Sequence, residues 1–185
     1  MVGSAPAIYS CTGKLGISHL IPYIVKLEET CNSGTMLNEI YNKRILQFAA
    51  DIPHLGRLDT PDASATAHSK LCGSKVVVDI AMRDGVISEF SHDVKACALG
   101  QASSSILARH VIGTDAEELR KVRAEMYAML KEDGPAPAGK WEDLQVLMPV
   151  KDFKARHAST LLTFDAVCDA VEQIEQAQQN VPAAG

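Results

Sequence analysis

The sequence predicts an α+β domain, a small antiparallel three-stranded sheet packed against several helices. Three observations carry this. Residues 75–82 are dense in β-branched side chains, as a strand requires. Asp84-Gly85 is a hairpin signal, because glycine accepts the positive φ of a tight turn. After Cys97 the apolar residues change to helical spacing. Strands in one block and helices in the next give α+β and not an alternating parallel sheet.

Residues 1–35 cluster Gly, Ser, Thr and Asn around one short apolar piece, 17–27, and read as an N-terminal extension expected to be mobile. Met36 opens a helical pattern in which Ile40, Ile45 and Leu46 could share a face, and it is an alternative start for the domain, taken as 36–180. Pro53, Gly56 and Pro61 punctuate a loop over 51–62. Strands follow at 63–70, 75–82 and 86–92, forming a meander. Residues 98–111 read as a helix ended by Gly113. Thr114 and Glu117 have capping-box spacing and open a helix with Leu119, Val122, Met126 and Leu130 on one face and a Glu117–Lys121 pair on its surface. A Pro/Gly linker spans 133–139, and 141–148 is a short helical piece anchored by Trp141. The last helix runs from about Arg156 or Ala158 to Gln178, burying Leu162, Ala166, Ala170 and Ile174, before a loose tail at 181–185.

Composition narrows the function. Of the 185 residues 46% are apolar and 22% charged, an ordinary globular balance, and the net charge of −5 is wrong for a general nucleic-acid binder. No apolar run reaches the roughly 18–20 residues of a membrane span, and no export signal stands at the start, so a cytoplasmic protein with neither nucleic-acid nor membrane partners is expected. Five cysteines, an odd count, should then be thiols or metal ligands.

Three side chains stand out by position: Cys72 between two strands, Cys97 just before a helix, and His157 near the start of the last helix. A helix N-terminus favours thiolate, the form that binds soft metals or carries sulfur, and neutral imidazole can complete a Cys/His site. Position alone equally allows two inert thiols and a helix-end histidine. Cys168 lies on an apolar helix face and reads as core, while Cys11 and Cys31 lie in the extension without helpers. No G-x-S-x-G elbow surrounds Ser103, Ser104 and Ser105, and no H-x-x-x-H pair is present, so hydrolase chemistry has no support.

Taken together, several segments resemble the U-type iron–sulfur cluster scaffold family, comprising IscU, SufU and the N-terminal domain of NifU. They are Tyr41-Asn-Lys-Arg-Ile, Pro53-His-Leu-Gly-Arg-Leu, Cys72-Gly, Asp84-Gly-Val-Ile-Ser-Glu-Phe, the run from Cys97 through Ser103, Ser104 and Ser105, and Phe153-Lys-Ala-Arg-His-Ala-Ser-Thr. The Cys97 run is the most specific. The resemblance implies a non-enzymatic scaffold or carrier that binds iron and a nascent [2Fe–2S] cluster, or zinc. Its implied partners are a cysteine desulfurase and apo iron–sulfur recipients.

Two departures accompany it. Ser74 stands where the family has Asp, and the third cysteine's place falls on Ala158 or Ser159. The implied ligand set is therefore Cys72, Cys97 and His157, with Ser74, Arg156 and Ser159 as supporting residues. A zinc-bound persulfide acceptor and a metal-free interaction module are the alternatives.

Overall fold

The computed structural model describes residues 43–70 and 72–180. The expectations for the extension at 1–35, the boundary at 36, the position of Ile40 and the tail at 181–185 lie outside them. The described chain runs α1 (Lys43–Ala50), β1 (Ala63–His68), β2 (Lys75–Arg83), β3 (Val86–Lys95), α2 (Ala98–His110), α3 (Ala116–Lys131), a 3-10 segment (Gly139–Asp152) and α4 (Lys154–Gln179). This is the α+β arrangement the sequence predicts.

The sheet is antiparallel in the order β1-β2-β3. Ala63 pairs with Ile80 and His68 with Lys75, while β2 and β3 pair from Lys75–Lys95 to Arg83–Val86 with a bulge at Ala81/Met82. Asp84 (φ 54°) and Gly85 (φ 80°) both lie in the left-handed region, which matches the right-handed twist of the strands they join. β1 alternates strictly, with Ala63, Ala65 and Ala67 inward, and these small side chains let α4 lie close against the sheet. On β2, Val76, Val78 and Ile80 are fully buried.

Asp79, also on β2, is fully buried on the other face under the 51–62 loop. Its carboxylate accepts from Arg57 Nε (2.5 Å) and Nη2 (2.8 Å), Leu58 N–H (3.1 Å) and Ser64 Oγ (2.6 Å). Burial alone would raise its pKa, but these donors together hold it below the usual carboxylate range. The same loop is fastened to β3. His54, at φ 58°, accepts through its carbonyl from His92 N–H (3.0 Å), and Gly56 N–H donates back to His92 O (3.0 Å). The fully buried His92 ring meets Pro53 O through Nε2 (3.0 Å), and its Nδ1 has no hydrogen-bond partner among the described residues.

The core lies between the sheet and the helices, with α4 packed on β1 and β2 and against α2 and α3. At about 39 Å α4 is the long strut of the molecule. It buries Leu162, Ala166, Ala170 and Ile174 as predicted, and Cys168 with them. Burial pushes the Cys168 thiol up to about 11, as befits an inert core residue. In α3 the expected face, Leu119, Val122, Met126 and Leu130, is buried. Trp141 is buried and donates through Nε1 to Glu118 Oε1 (2.8 Å).

Several local expectations are corrected. The N-cap of α3 is Asp115, whose side chain accepts from Glu118 N–H (2.8 Å). Thr114 still belongs to the exit from α2, since its N–H bonds Val111 O (3.1 Å) and its hydroxyl donates to His110 O (2.8 Å). The surface ion pair on α3 is Lys121–Glu125 (4.0 Å), where Glu117–Lys121 was expected. Leu46 is 50% exposed while Ile45 is buried, because α1 presents a single narrow stripe to α2. The helical piece at 141–148 is a longer 3-10 segment containing Pro149, which can donate no backbone hydrogen bond. The last helix begins at Lys154, somewhat earlier than expected.

Candidate thiol site

Cys72 sits in the short connection from β1 to β2. This loop is closed by two backbone bonds, Ser69 N–H to Ser74 O (2.8 Å) and Gly73 N–H to Ser69 O (2.9 Å). Gly73, at φ 70°, lets the chain reverse directly after the cysteine. The exposed Cys72 thiol then lies among hydroxyls, with Ser69 Oγ at 3.3 Å and Ser74 Oγ at 3.0 Å. Both serines are buried, so the cradle is fixed while the sulfur is open. Burial works to raise the Cys72 pKa. Hydrogen bonds from Ser69, from the Ser74 side chain and amide, and from Ser159 outweigh it and lower the pKa to about 7. Near neutral pH the sulfur is thus roughly half thiolate.

Cys97 is the N-cap residue of α2, in extended backbone and making no side-chain cap bond. Its sulfur is 3.5 Å from Ser159 Oγ on α4. Ser159 is buried and its hydroxyl donates to Arg156 O (2.9 Å). Ser159 is also among the groups that lower the Cys72 pKa, so the two cysteines, from separate connections, share one serine as a neighbour.

Ser159 is held by close packing of α2 on α4. An ideal Cβ on Gly100 would meet Ser159 O at 2.8 Å, and Ser103 Oγ donates to Thr160 O at 2.6 Å. The small residues after Cys97 thus let the backbone of α4 approach α2.

The remaining expected residues are placed differently. His157 is buried, and its Nε2 faces two carbonyls of the 3-10 segment, Val150 O (3.1 Å) and Lys151 O (2.9 Å). No group of three His, Cys, Asp or Glu side chains able to hold a metal is gathered among the described residues. The histidine expected beside the thiols is thus occupied elsewhere, at two carbonyls near the end of the 3-10 segment, of which Val150 O also accepts from Phe153 N–H (2.9 Å). Arg156 is exposed, and it is its backbone carbonyl that orients Ser159. Ser69 was missed in the sequence. Its only mark there is a hydroxyl three residues before a cysteine in a turn, a pattern too common to single out.

As donors, two thiols and three nearby hydroxyls offer soft, partly ionised ligands and no carboxylate. Zinc sites and [2Fe–2S] clusters take four protein or exogenous ligands per unit, so this chain as folded supplies half of such a set.

Fold and thiol pair together define an α+β domain in which a cysteine of the β1–β2 connection and one at the start of α2 both lie near the first turns of α4. Comparison with known proteins makes this specific. The NifU-like N-terminal domain family matches residues 40–160, more than half of the chain. The chain belongs to this family, one of the U-type iron–sulfur cluster scaffolds.

It is 23% identical over 137 residues to the iron–sulfur cluster assembly scaffold protein IscU of Thermotoga maritima, covering 74% of this chain and 96% of that protein. It is 24% identical over 143 residues to IscU of Streptococcus pyogenes, covering 77% and 89%. The crystal structure of a nitrogen-fixing NifU-like protein (N-terminal) from Brucella abortus superposes with a TM-score of 0.75 at 62% identity, covering 76% of this chain and 98% of that one. A SUF-system scaffold protein from Fervidobacterium islandicum has the same fold, with a TM-score of 0.67 at 17% identity over 72% of this chain and 98% of that one.

Proposed function

We propose that this chain is an iron–sulfur cluster scaffold or carrier, not an enzyme. In this reading it takes iron and sulfide, or an assembled [2Fe–2S] cluster, as cargo on Cys72 and Cys97. The observation that carries the reading is the convergence of these two cysteines on Ser159. The family membership and the scaffold names of its relatives support it. His157 serves as third ligand once its imidazole leaves the carbonyls of the 3-10 segment, and an external group completes the set. Ser74 and Ser159 steady the sulfurs through their hydroxyls, and Arg156 acts through the carbonyl that orients Ser159. The source of sulfur is a cysteine desulfurase and the destinations are apo iron–sulfur proteins, met in the cytoplasm. Imidazole in place of thiolate removes negative charge and would raise the cluster's potential.

Anaerobic reconstitution with iron and sulfide tests this. The wild type should develop sulfur-to-iron absorbance, Cys72→Ala and Cys97→Ala should each lose it, and His157→Ala should bind with lower occupancy. An unchanged spectrum in both cysteine variants defeats the site.

One observation favours a second reading, a zinc-bound persulfide acceptor. Cys72 is both exposed and lowered to about 7, the properties of an attacking thiol. Zinc in the purified chain, no cluster on reconstitution, and a sulfur atom of added mass on Cys72 after incubation with a desulfurase would select it.

A further inference from the structure

Beside the thiol site lies a cavity of about 790 Å³, open to solvent and bounded by the ends of β1 and α3, the end of the 3-10 segment and the first turns of α4. The scaffold reading gives the cavity itself no ligand, yet it shares parts with the site, and His157, the third ligand of that reading, stands in its lining. Ser69 lines its wall and also receives the Cys72 thiol (3.3 Å). Ala158, an exposed methyl on the first turns of α4, lines it too. This is one of the two positions at which the family resemblance puts the absent third cysteine.

The charges in the wall are of both signs and partly unspent. Asp133 is paired with Lys151 (3.0 Å), and Asp165 with Arg123 (2.7 Å) and the Tyr127 hydroxyl (3.0 Å). Lys131, whose Nζ lies 4.3 Å from the centre of the Tyr127 ring, and Lys154 have no carboxylate partner among the described residues. Asp152 likewise forms no ion pair among them. Leu130, Leu161 and Leu162 give an apolar floor. The volume is that of a small-molecule pocket, which binds through an apolar lining and a few fixed polar groups. Two ammonium groups and one carboxylate without an ion-pair partner among the described residues suit a ligand with more carboxylates than amines. The shared wall at Ser69 directs the ligand's other end toward Cys72.

We propose that this cavity binds a low-molecular-weight thiol of the amino-acid or short-peptide class, zwitterionic and rich in carboxylate. Lys131 and Lys154 hold its carboxylates, Asp152 its amine, and its sulfur lies toward Cys72 along the Ala158 wall. Under the scaffold reading such a thiol is the external ligand that the chain lacks. Its binding does not depend on that reading, because the pocket is complete without metal.

The test uses the metal-free full chain and glutathione disulfide as probe. The Cys72 thiolate attacks one sulfur of the disulfide, and the new S–S bond forms as the old one breaks. The other half leaves as a thiolate that takes a proton from water, so one disulfide replaces another with no net oxidation. Mixed disulfide on Cys72 is followed by peptide mass spectrometry. The rate should saturate with probe concentration. Lys131→Gln/Lys154→Gln should raise the half-saturation concentration about tenfold, roughly the effect of losing 1.4 kcal/mol of binding.

Ala158→Phe, which puts a large ring on the cavity lining from an exposed helix position, should abolish saturation. A neutral disulfide, bis(2-hydroxyethyl) disulfide, should react linearly and equally with all three proteins. A linear rate with glutathione disulfide, or equal slowing of both probes in the variants, overturns the proposal. Failure of cluster reconstitution with saturation intact would instead remove the scaffold reading and leave the pocket standing.

Discussion

Gly100→Ala is the sharpest test of how the thiol site is built. In the body of a helix, alanine is worth up to about 1 kcal/mol more than glycine. Here, however, the added Cβ would lie 2.8 Å from Ser159 O and 2.8 Å from Ala96 Cβ, where ordinary contact begins at 3.4 Å. The opposing oxygen belongs to the backbone of α4, so no side chain can rotate away. The two helices must separate by several tenths of an ångström, stretching the 2.6 Å bond from Ser103 Oγ to Thr160 O.

Overpacking of this kind costs about 1–3 kcal/mol. Set against the gain in propensity, the expected outcome is a net loss of up to about 2 kcal/mol, read as a lower urea midpoint at unchanged slope. Alkylation of both Cys72 and Cys97 should change rate in the same variant, since Ser159 moves away from both sulfurs. Ala96→Gly/Gly100→Ala relieves only one of the two contacts and should recover part of the loss. A midpoint for Gly100→Ala at or above that of the wild type would refute the close-packed α2–α4 seam.

Three further outcomes follow from the hydrogen bonding. Iodoacetamide should alkylate Cys72 with a pH midpoint of about 7, and Ser69→Ala/Ser74→Ala should move it up toward ordinary thiols, because each lost hydroxyl no longer stabilises thiolate; an unmoved midpoint would exclude the hydroxyl cradle as its cause. His92 is buried neutral, with burial lowering its pKa to about 4 against the opposing bond to Pro53 O. The unfolded chain therefore takes up a proton first as pH falls below about 6.5. Stability is full above that value and declines toward pH 4, by up to about 3 kcal/mol from this group, and pH-dependent urea melts of His92→Asn should lose that part of the slope. Asp79→Ala strands the Leu58 N–H and the Ser64 hydroxyl and should cost roughly 2–4 kcal/mol by thermal melting. Asp79 stabilises the fold above the ordinary carboxylate pKa and ceases to as pH falls through its lowered one, so the penalty should shrink in strong acid.

The elements legible in the sequence were those that a local pattern dictates. Asp84-Gly85 forces a two-residue reversal, the valines of β2 suit a covered central strand, and the spacing of Leu119, Val122, Met126 and Leu130 marks one face of α3. The errors fell where a tertiary partner decides. Thr114 and Glu117 have capping-box spacing, but Thr114 is still engaged by the end of α2, which hands the cap to Asp115. Leu46 looks like core until α1 is seen to turn Ile45, Phe48 and Ala49 inward.

At the site, Cys72 and Cys97 could be singled out because each precedes a backbone feature, a glycine reversal and a helix start. Their meeting at Ser159 could not be read without the α2–α4 seam. Nor could the capture of His157 be foreseen, because its partners are backbone carbonyls, and carbonyls leave no mark in a sequence.

The seam also makes the two cysteines mechanically unequal. Cys97 is the N-cap of a helix clamped to its neighbour by glycine and serine contacts. Cys72 rides on a loop closed by two backbone bonds at the tip of a sheet. The spacing of the two sulfurs is thereby set by how closely α2 lies on α4: a change at the seam reaches Cys97 through its helix, while the Cys72 turn keeps its own two backbone bonds.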